Sequence, residues 1–187
     1  MSLETIQKIN LFIQVATKWN KRINLFSRKE ENVLVERHII DCIPLASLLR
    51  KNGKLIDVGS GGGFPGAIVG CFRKDVEIFL LEPLKKRAAF LREIKRVLSL
   101  SQLKIIENSV EETQLEEHFT DCVSRAVFKP DEWHDIGYKL LKQRGIIWFM
   151  LSKEQADEFP KTRSAKERAD YTLDEGRKRV LIGIEKR

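Results

Sequence analysis

The sequence has few cysteines, few histidines and no long apolar run, and each shortage excludes a class of protein. Its three cysteines, Cys42, Cys71 and Cys122, are odd in number and far apart, so they offer neither a disulfide framework nor a C-x-x-C metal or redox motif. Buried thiols in a reducing compartment are expected. His38, His118 and His134 show no ligand spacing, and no structural or catalytic metal is expected. No stretch approaches the length of a membrane span, and residues 1–5 lack the basic and apolar regions of an export signal. The expectation is a cytoplasmic protein with no membrane partner, most simply a monomer.

What is present is a soluble, basic composition. The 187 residues, 42% hydrophobic and 33% charged, allow a single cored unit with a terminal extension. A net charge of +7 makes an anionic partner plausible, nucleic acid first, with a solvated basic surface as the bland alternative.

One stretch organises the rest: Leu55-Ile56-Asp57-Val58-Gly59-Ser60-Gly61-Gly62-Gly63-Phe64-Pro65-Gly66. A short β-branched run followed by glycines and a proline reads as strand, tight loop and helix start. Such a loop at the end of the first strand of an α/β sheet is a seat for a nucleotide-like cofactor, with backbone N–H groups facing it. The glycines satisfy the dinucleotide pattern G-x-G-x-x-G, but Asp57 sets a carboxylate where a pyrophosphate would lie. S-adenosylmethionine, with a cationic sulfonium and amino group, suits that acidic strand end. Glu82, about twenty residues further on, is placed to take ribose hydroxyls of either cofactor.

Along the chain, Ser2 can cap a first helix with Ile6, Ile9, Ile13 and Ala16 at helical spacing. The stretch 19–25 breaks that periodicity and reads as a helix end with a loop. Residues 33–50 resume a helical pattern with a break at Pro44, and Arg37 and Asp41 stand at i,i+4 with His38 beside them. From Lys54 onward, strands are expected at 55–58, 77–81, 103–107, 122–126, 145–151 and 180–184, alternating with helices as in βαβ units. The predicted fold class is α/β, a mostly parallel twisted sheet with helices on both faces. Residues 1–52 form an N-terminal helical extension to a Rossmann-like unit at 53–187. Between the second and third strands an amphipathic helix carries Leu84, Ala88, Leu91, Ile94 and Leu98 on one face. Its other faces are basic, Lys86 among them, and either contact phosphates or are merely solvated. Asn108-Ser109-Val110-Glu111-Glu112 is a polar loop fit to border an adenine, or a helix cap led by Ser109. Arg125, at the end of the fourth strand, needs a partner or a ligand.

Taken together, 19–25, Arg37-His38 with Asp41, the glycine stretch, Lys86-Arg87 with Phe90-Leu91, Val110-Glu111 and Ser124-Arg125-Ala126 resemble the bacterial glucose-inhibited division protein B family. The resemblance covers nearly the whole chain. It implies a class I methyltransferase that moves a methyl group from S-adenosylmethionine to N7 of a guanine in 16S ribosomal RNA. It also implies that Gly59 and Phe64 line the donor pocket, that Val110 and Glu111 border the adenine, and that Arg125 stands between donor and acceptor; Asp57, Ser60, Gly61 and Glu82 are expected to bind the donor with them, and since N7 carries no proton, no catalytic base is expected. Asn24, Arg37, His38 and Lys153 would face RNA. Phe26 and Glu154 depart from the family pattern, which usually has a small hydroxyl residue and a glycine there. A non-catalytic RNA-binding or ribosome-assembly protein, and a dinucleotide-dependent oxidoreductase, remain as alternatives.

Overall fold

The computed structural model describes residues 1–27, 33–115, 118–160, 165–173 and 176–187. The first helix, α1 (Leu3–Ile23), begins where the Ser2 side chain accepts a hydrogen bond from the Thr5 N–H, and it ends at Asn24 in the left-handed conformation. It runs straight through residues 19–23, where the broken apolar spacing predicted a loop. Asn20 is the reason: it is buried, and its side-chain oxygen accepts the Phe26 N–H at 3.0 Å, so the amide closes the helix end. The next segment stays helical but changes pitch, with a π turn at Val35–Ile39, a 3-10 turn at Ile40–Cys42 and α2 at Ile43–Leu48. Pro44 falls in the first turn of α2, where its missing N–H costs no hydrogen bond.

The sheet consists of β1 (Lys54–Val58), β2 (Glu77–Leu81), β3 (Leu103–Ile106), β4 (Phe119–Ser124), β5 (Leu141–Ser152), β6 (Glu167–Thr172) and β7 (Lys178–Glu185). Their order is β3-β2-β1-β4-β5-β7-β6. The pairs through β3, β2, β1, β4 and β5 are parallel, while β7 runs antiparallel to both β5 and β6. Strand β6 has no counterpart among the sequence expectations, because its alternation Glu167-Arg168-Ala169-Asp170-Tyr171-Thr172 is almost wholly polar, as an edge strand with little burial allows. Arg125 lies just past β4 rather than in it.

Helices α3 (Gly66–Phe72) and α4 (Lys85–Val97) pack with α1 on one face of the sheet, and α5 (Pro130–Leu140) and α6 (Lys153–Asp157) cover the other. Alternation along the strands sorts the core: Leu55, Ile78 and Leu80 turn toward Phe12, Phe90 and Leu91, while Ile56, Phe79 and Ile147 turn toward Trp133 and Leu140. Phe90 belongs to the buried face of α4, whereas Leu84 precedes that helix and is 54% exposed.

Because the chain leaves β1 toward β2 on one side and returns through β4 on the other, the strand order reverses between β1 and β4. In doubly wound sheets the crevice at the carboxyl ends of such strands receives ligands. At its back Gly66 opens α3. A methyl group there would stand 2.7 Å from Asp57 Oδ2 and would overlap Leu80. Gly66→Ala is therefore expected to lower the stability measured by urea unfolding by about 1–3 kcal/mol, and an unchanged midpoint would show that these neighbours yield without cost.

Candidate active site

The glycine loop is fastened to the sheet by backbone groups and by two buried carboxylates. Gly59 and Ser60 N–H both donate to the Leu81 carbonyl, at 2.8 and 3.1 Å, and Gly63 N–H donates to the Ser60 carbonyl at 2.7 Å. Gly61 N–H donates to Glu82 Oε2 and Gly66 N–H to Asp57 Oδ2, each at 2.8 Å. The second Glu82 oxygen accepts Leu84 N–H at 2.9 Å. These amides point into the protein, contrary to the expectation that the loop would present its N–H groups to a ligand. Gly59 has φ +75, and a methyl group there would stand 2.6 Å from Val127 Cγ2, so neither the conformation nor the space admits a side chain.

Two clefts meet over this loop. The first, about 410 Å3, runs along the ends of β2 and β3 and is bordered by Glu82, Leu84, Asn108, Val110, Glu111 and Phe128. Apolar walls with two acidic groups, Glu82 and Glu111, and a polar loop are the lining a nucleoside requires. Residues 107–113 form turns, with Thr113 N–H reaching the Val110 carbonyl at 3.4 Å, so Ser109 caps no helix. The second cleft, about 450 Å3, is lined by five arginines, Arg37, Arg87, Arg125, Arg177 and Arg179, with His38. Asp41 is the one carboxylate among its described lining residues. Gly59, Arg87 and Val127 border both clefts.

Asp41 organises the cationic cleft. It is 2% exposed and accepts Arg179 through Nε at 3.0 Å and Nη2 at 3.2 Å, together with the Tyr171 hydroxyl at 2.7 Å. Burial and the neighbouring carboxylate push the Tyr171 hydroxyl well up, so it remains a donor. Arg125 Nη1 lies 3.6 Å from the same carboxylate. Arg125 Nη2 is 2.7 Å from His38 Nδ1. A guanidinium can only donate, so Nδ1 accepts and the imidazole is neutral with its proton on Nε2. The Arg125 guanidinium also sits 5.0 Å over the Phe64 ring, which is tilted against His38 at 5.1 Å.

Of the residues singled out in the sequence, Gly59, Ser60, Gly61, Phe64, Arg37, His38 and Arg125 line the cationic cleft, and Glu82, Val110 and Glu111 the other, which Gly59 also borders. Asp57 lines neither: it is fully buried behind the loop, where it fastens α3. Asn24 closes α1, and its neighbours Leu25 and Phe26 reach the cleft instead. Lys86 points outward while Arg87 enters both clefts. Lys153 is paired with Asp157 at 2.7 Å on α6 and borders neither. Arg179 and Tyr171 carried no sequence signal, since they are brought to Asp41 only by the antiparallel pairing of β6 with β7. All three cysteines are buried, and burial pushes the Cys71 thiol up to about 12 and the other two upward as well, which disfavours the thiolate form. Among the described residues no group of three or more His, Cys, Asp or Glu could hold a metal ion, and no helix is long and apolar enough to cross a membrane.

The fold is that of Rossmann-like methyltransferases. It resembles M. jannaschii TYW2, solved in complex with AdoMet, with a TM-score of 0.62 and 16% identity over 79% of this chain and 74% of that one. A SAM-dependent methyltransferase from Aquifex aeolicus gives a TM-score of 0.65 and 10% identity, over 92% of this chain and 98% of that one. At these identities the likeness establishes the fold alone. The family follows from the sequence: residues 5–177 match the model of the rRNA small subunit methyltransferase G family, and the chain belongs to it. Relatives called ribosomal RNA small subunit methyltransferase G include one from Clostridium perfringens, 39% identical over 65% of this chain and 53% of its own length. Another, from Polynucleobacter asymbioticus, is 30% identical over 84% of this chain and 74% of its own. The chain thus spans about half the length of the first curated relatives it matches.

Burial raises the Asp57 carboxyl from 3.8 to about 7, against the opposing pull of the Gly66 N–H and the Arg125 charge. The folded state therefore holds this proton more tightly than the unfolded chain. The stability it contributes is complete below about pH 3.8 and is lost as the pH rises through about 7. Asp57→Asn retains an acceptor for Gly66 and removes the titration. The fall in unfolding free energy across that window is expected to shrink in the variant, and an equal fall in both proteins would assign it to other groups.

Proposed function

We propose that this protein transfers a methyl group from S-adenosylmethionine to N7 of a guanine in 16S ribosomal RNA. The observation that carries this reading is the meeting of the two clefts at Gly59, Arg87 and Val127, one shaped for a nucleoside and the other lined by arginines. Membership of the rRNA small subunit methyltransferase G family and the methyltransferase fold support it. Residues 53–187 supply the donor seat, and the helical extension 1–52 brings Arg37 and His38 to the RNA side.

The nucleoside cleft fits the donor. Glu82 already holds Gly61 and Leu84, and each carboxylate oxygen keeps a lone pair for a ribose hydroxyl. Val110 and Glu111 border the position of an adenine, and Gly59, which has no room for a side chain beside Val127, adds none to the seat. When bound, the donor supplies an electrophilic methyl whose bond to sulfur breaks with its electron pair as the N7 lone pair bonds the carbon, so positive charge passes to the purine and no proton moves. A general base is therefore not required. His38, neutral and accepting from Arg125, holds that guanidinium in place, and the site works by alignment. The arginines of the second cleft neutralise RNA phosphates, an interaction that weakens steeply with salt.

Undermodified small subunits incubated with labelled donor should acquire 7-methylguanine, mapped by borohydride and aniline cleavage. Donor and RNA binding without methyl incorporation would reject the enzyme in favour of a binding protein. Arg125→Ala should lower the saturated single-turnover rate, because it removes the residue common to His38, Asp41 and Phe64. A change confined to the RNA concentration at half-saturation would make Arg125 a binding residue only.

A further inference from the structure

A third cavity opens beside the two clefts, at the carboxyl ends of β4 and β5. It measures about 180 Å3 and is walled by Phe128, Trp133, Phe149 and Met150, with Arg125 and Arg179 at its margin. It shares Arg125, Ala126 and Arg179 with the cationic cleft and Phe128 with the nucleoside cleft. Residues 125–128 are therefore a common wall of all three spaces. Within them Ala126 has φ +58, a conformation uncommon for a residue with a Cβ and concentrated where a segment is held for a ligand.

The chemistry of the walls is specific. Phe128 lies parallel to Trp133, with ring centroids 5.9 Å apart and planes 11° from parallel. Trp133 is itself 3% exposed, and its Nε1 donates to the Trp148 carbonyl at 3.0 Å, so the plane of Phe128 is braced from the core. The cavity's volume of about 180 Å3 is enough for one planar heterocycle. Arg179 is clamped on Asp41 through Nε and Nη2, which leaves Nη1 outside that fork. A guanidinium only donates. Guanine presents O6 and N7 as acceptors on one edge, whereas adenine replaces O6 with an amino donor.

We propose that this cavity is a purine subsite in which an unstacked guanine of the RNA lies on Phe128, with O6 toward Arg179. That N7 then turns toward the nucleoside cleft rests on the methyl-transfer reading above; the stacking and the choice of guanine do not. Withdrawing a base from its stack into a pocket is the general requirement for chemistry on a base edge. Phe128 and Arg179 become specificity-determining residues, and Asp41 and Tyr171 position Arg179.

Two measurements test the subsite. In the first, small-subunit RNA carrying 6-thioguanosine in place of guanosine is bound to the full chain with S-adenosylhomocysteine and irradiated in the near ultraviolet. Cross-linked peptides should come from residues 125–130, 149–155 or 178–180, the last carrying Arg179. Cross-links confined to other segments would overturn the proposal, and this result needs no turnover, so it stands even if methyl transfer is absent. In the second, Phe128→Ala should lower kcat/KM for RNA by about 5- to 150-fold, the range for loss of one base–aromatic stack. Phe128→Trp should restore it, and because Phe128 also borders the nucleoside cleft, any loss of S-adenosylhomocysteine affinity by calorimetry should be smaller than the loss of kcat/KM. An unaltered kcat/KM, or a loss of donor affinity equal to the loss of kcat/KM, would remove the subsite and leave Phe128 to the donor.

Discussion

The structure depends on two carboxylates that never reach bulk water. Asp57, next to last in β1, holds the first amide of α3, while Glu82 follows β2 and holds the middle of the glycine loop. Buried carboxylates are costly unless they are hydrogen-bonded, and both are bonded to backbone amides of the element they position. The loop is thus pinned at Gly61 and Gly66 across the point where the strand order reverses. The same bonds turn the Gly59, Ser60, Gly61, Gly63 and Gly66 amides inward, which takes them out of any cradle of N–H groups for a pyrophosphate. The acidic groups behind the loop, Glu82 and an Asp57 whose carboxyl burial raises to about 7, oppose an anion and suit a cation.

Asp41 does for the cationic cleft what Glu82 does for the loop. Five arginines crowded around one cleft repel one another, and a carboxylate at their centre gives two of them fixed positions. The Tyr171 hydroxyl completes its coordination from the edge strand. The π and 3-10 turns between Val35 and Cys42 bring Arg37, His38 and Asp41 to the same cleft. Irregular helical pitch of this kind is common where function fixes side-chain direction.

Much of this was legible in the sequence, for identifiable reasons. The parallel strands read clearly because buried β-branched runs alternate with amphipathic helices, and the loop read clearly because few structures need four glycines in five positions. Strand β6 was not legible, since a polar edge strand has no apolar periodicity. Lys86 and Arg87 show the limit of reading charge along a helix: a one-residue step turns a side chain by about 100°, and only the packing of Phe90 and Leu91 fixes which cation faces the clefts. From its place before the glycines, Asp57 reads as an acid facing the ligand. The structure shows that a carboxylate at a strand end can serve the loop's geometry instead. Arg179 and Tyr171 lie about 130 residues beyond Asp41, a separation that no local pattern bridges.

The central claim is that acids behind an inward-facing loop make this a seat for a sulfonium nucleoside rather than for a dinucleotide. Calorimetric titration of the protein with S-adenosylmethionine and with NAD, in the same buffer, tests it most directly. Saturable one-to-one binding of S-adenosylmethionine with much weaker binding of NAD is the predicted result. NAD binding as tightly as S-adenosylmethionine, or more tightly, would contradict it.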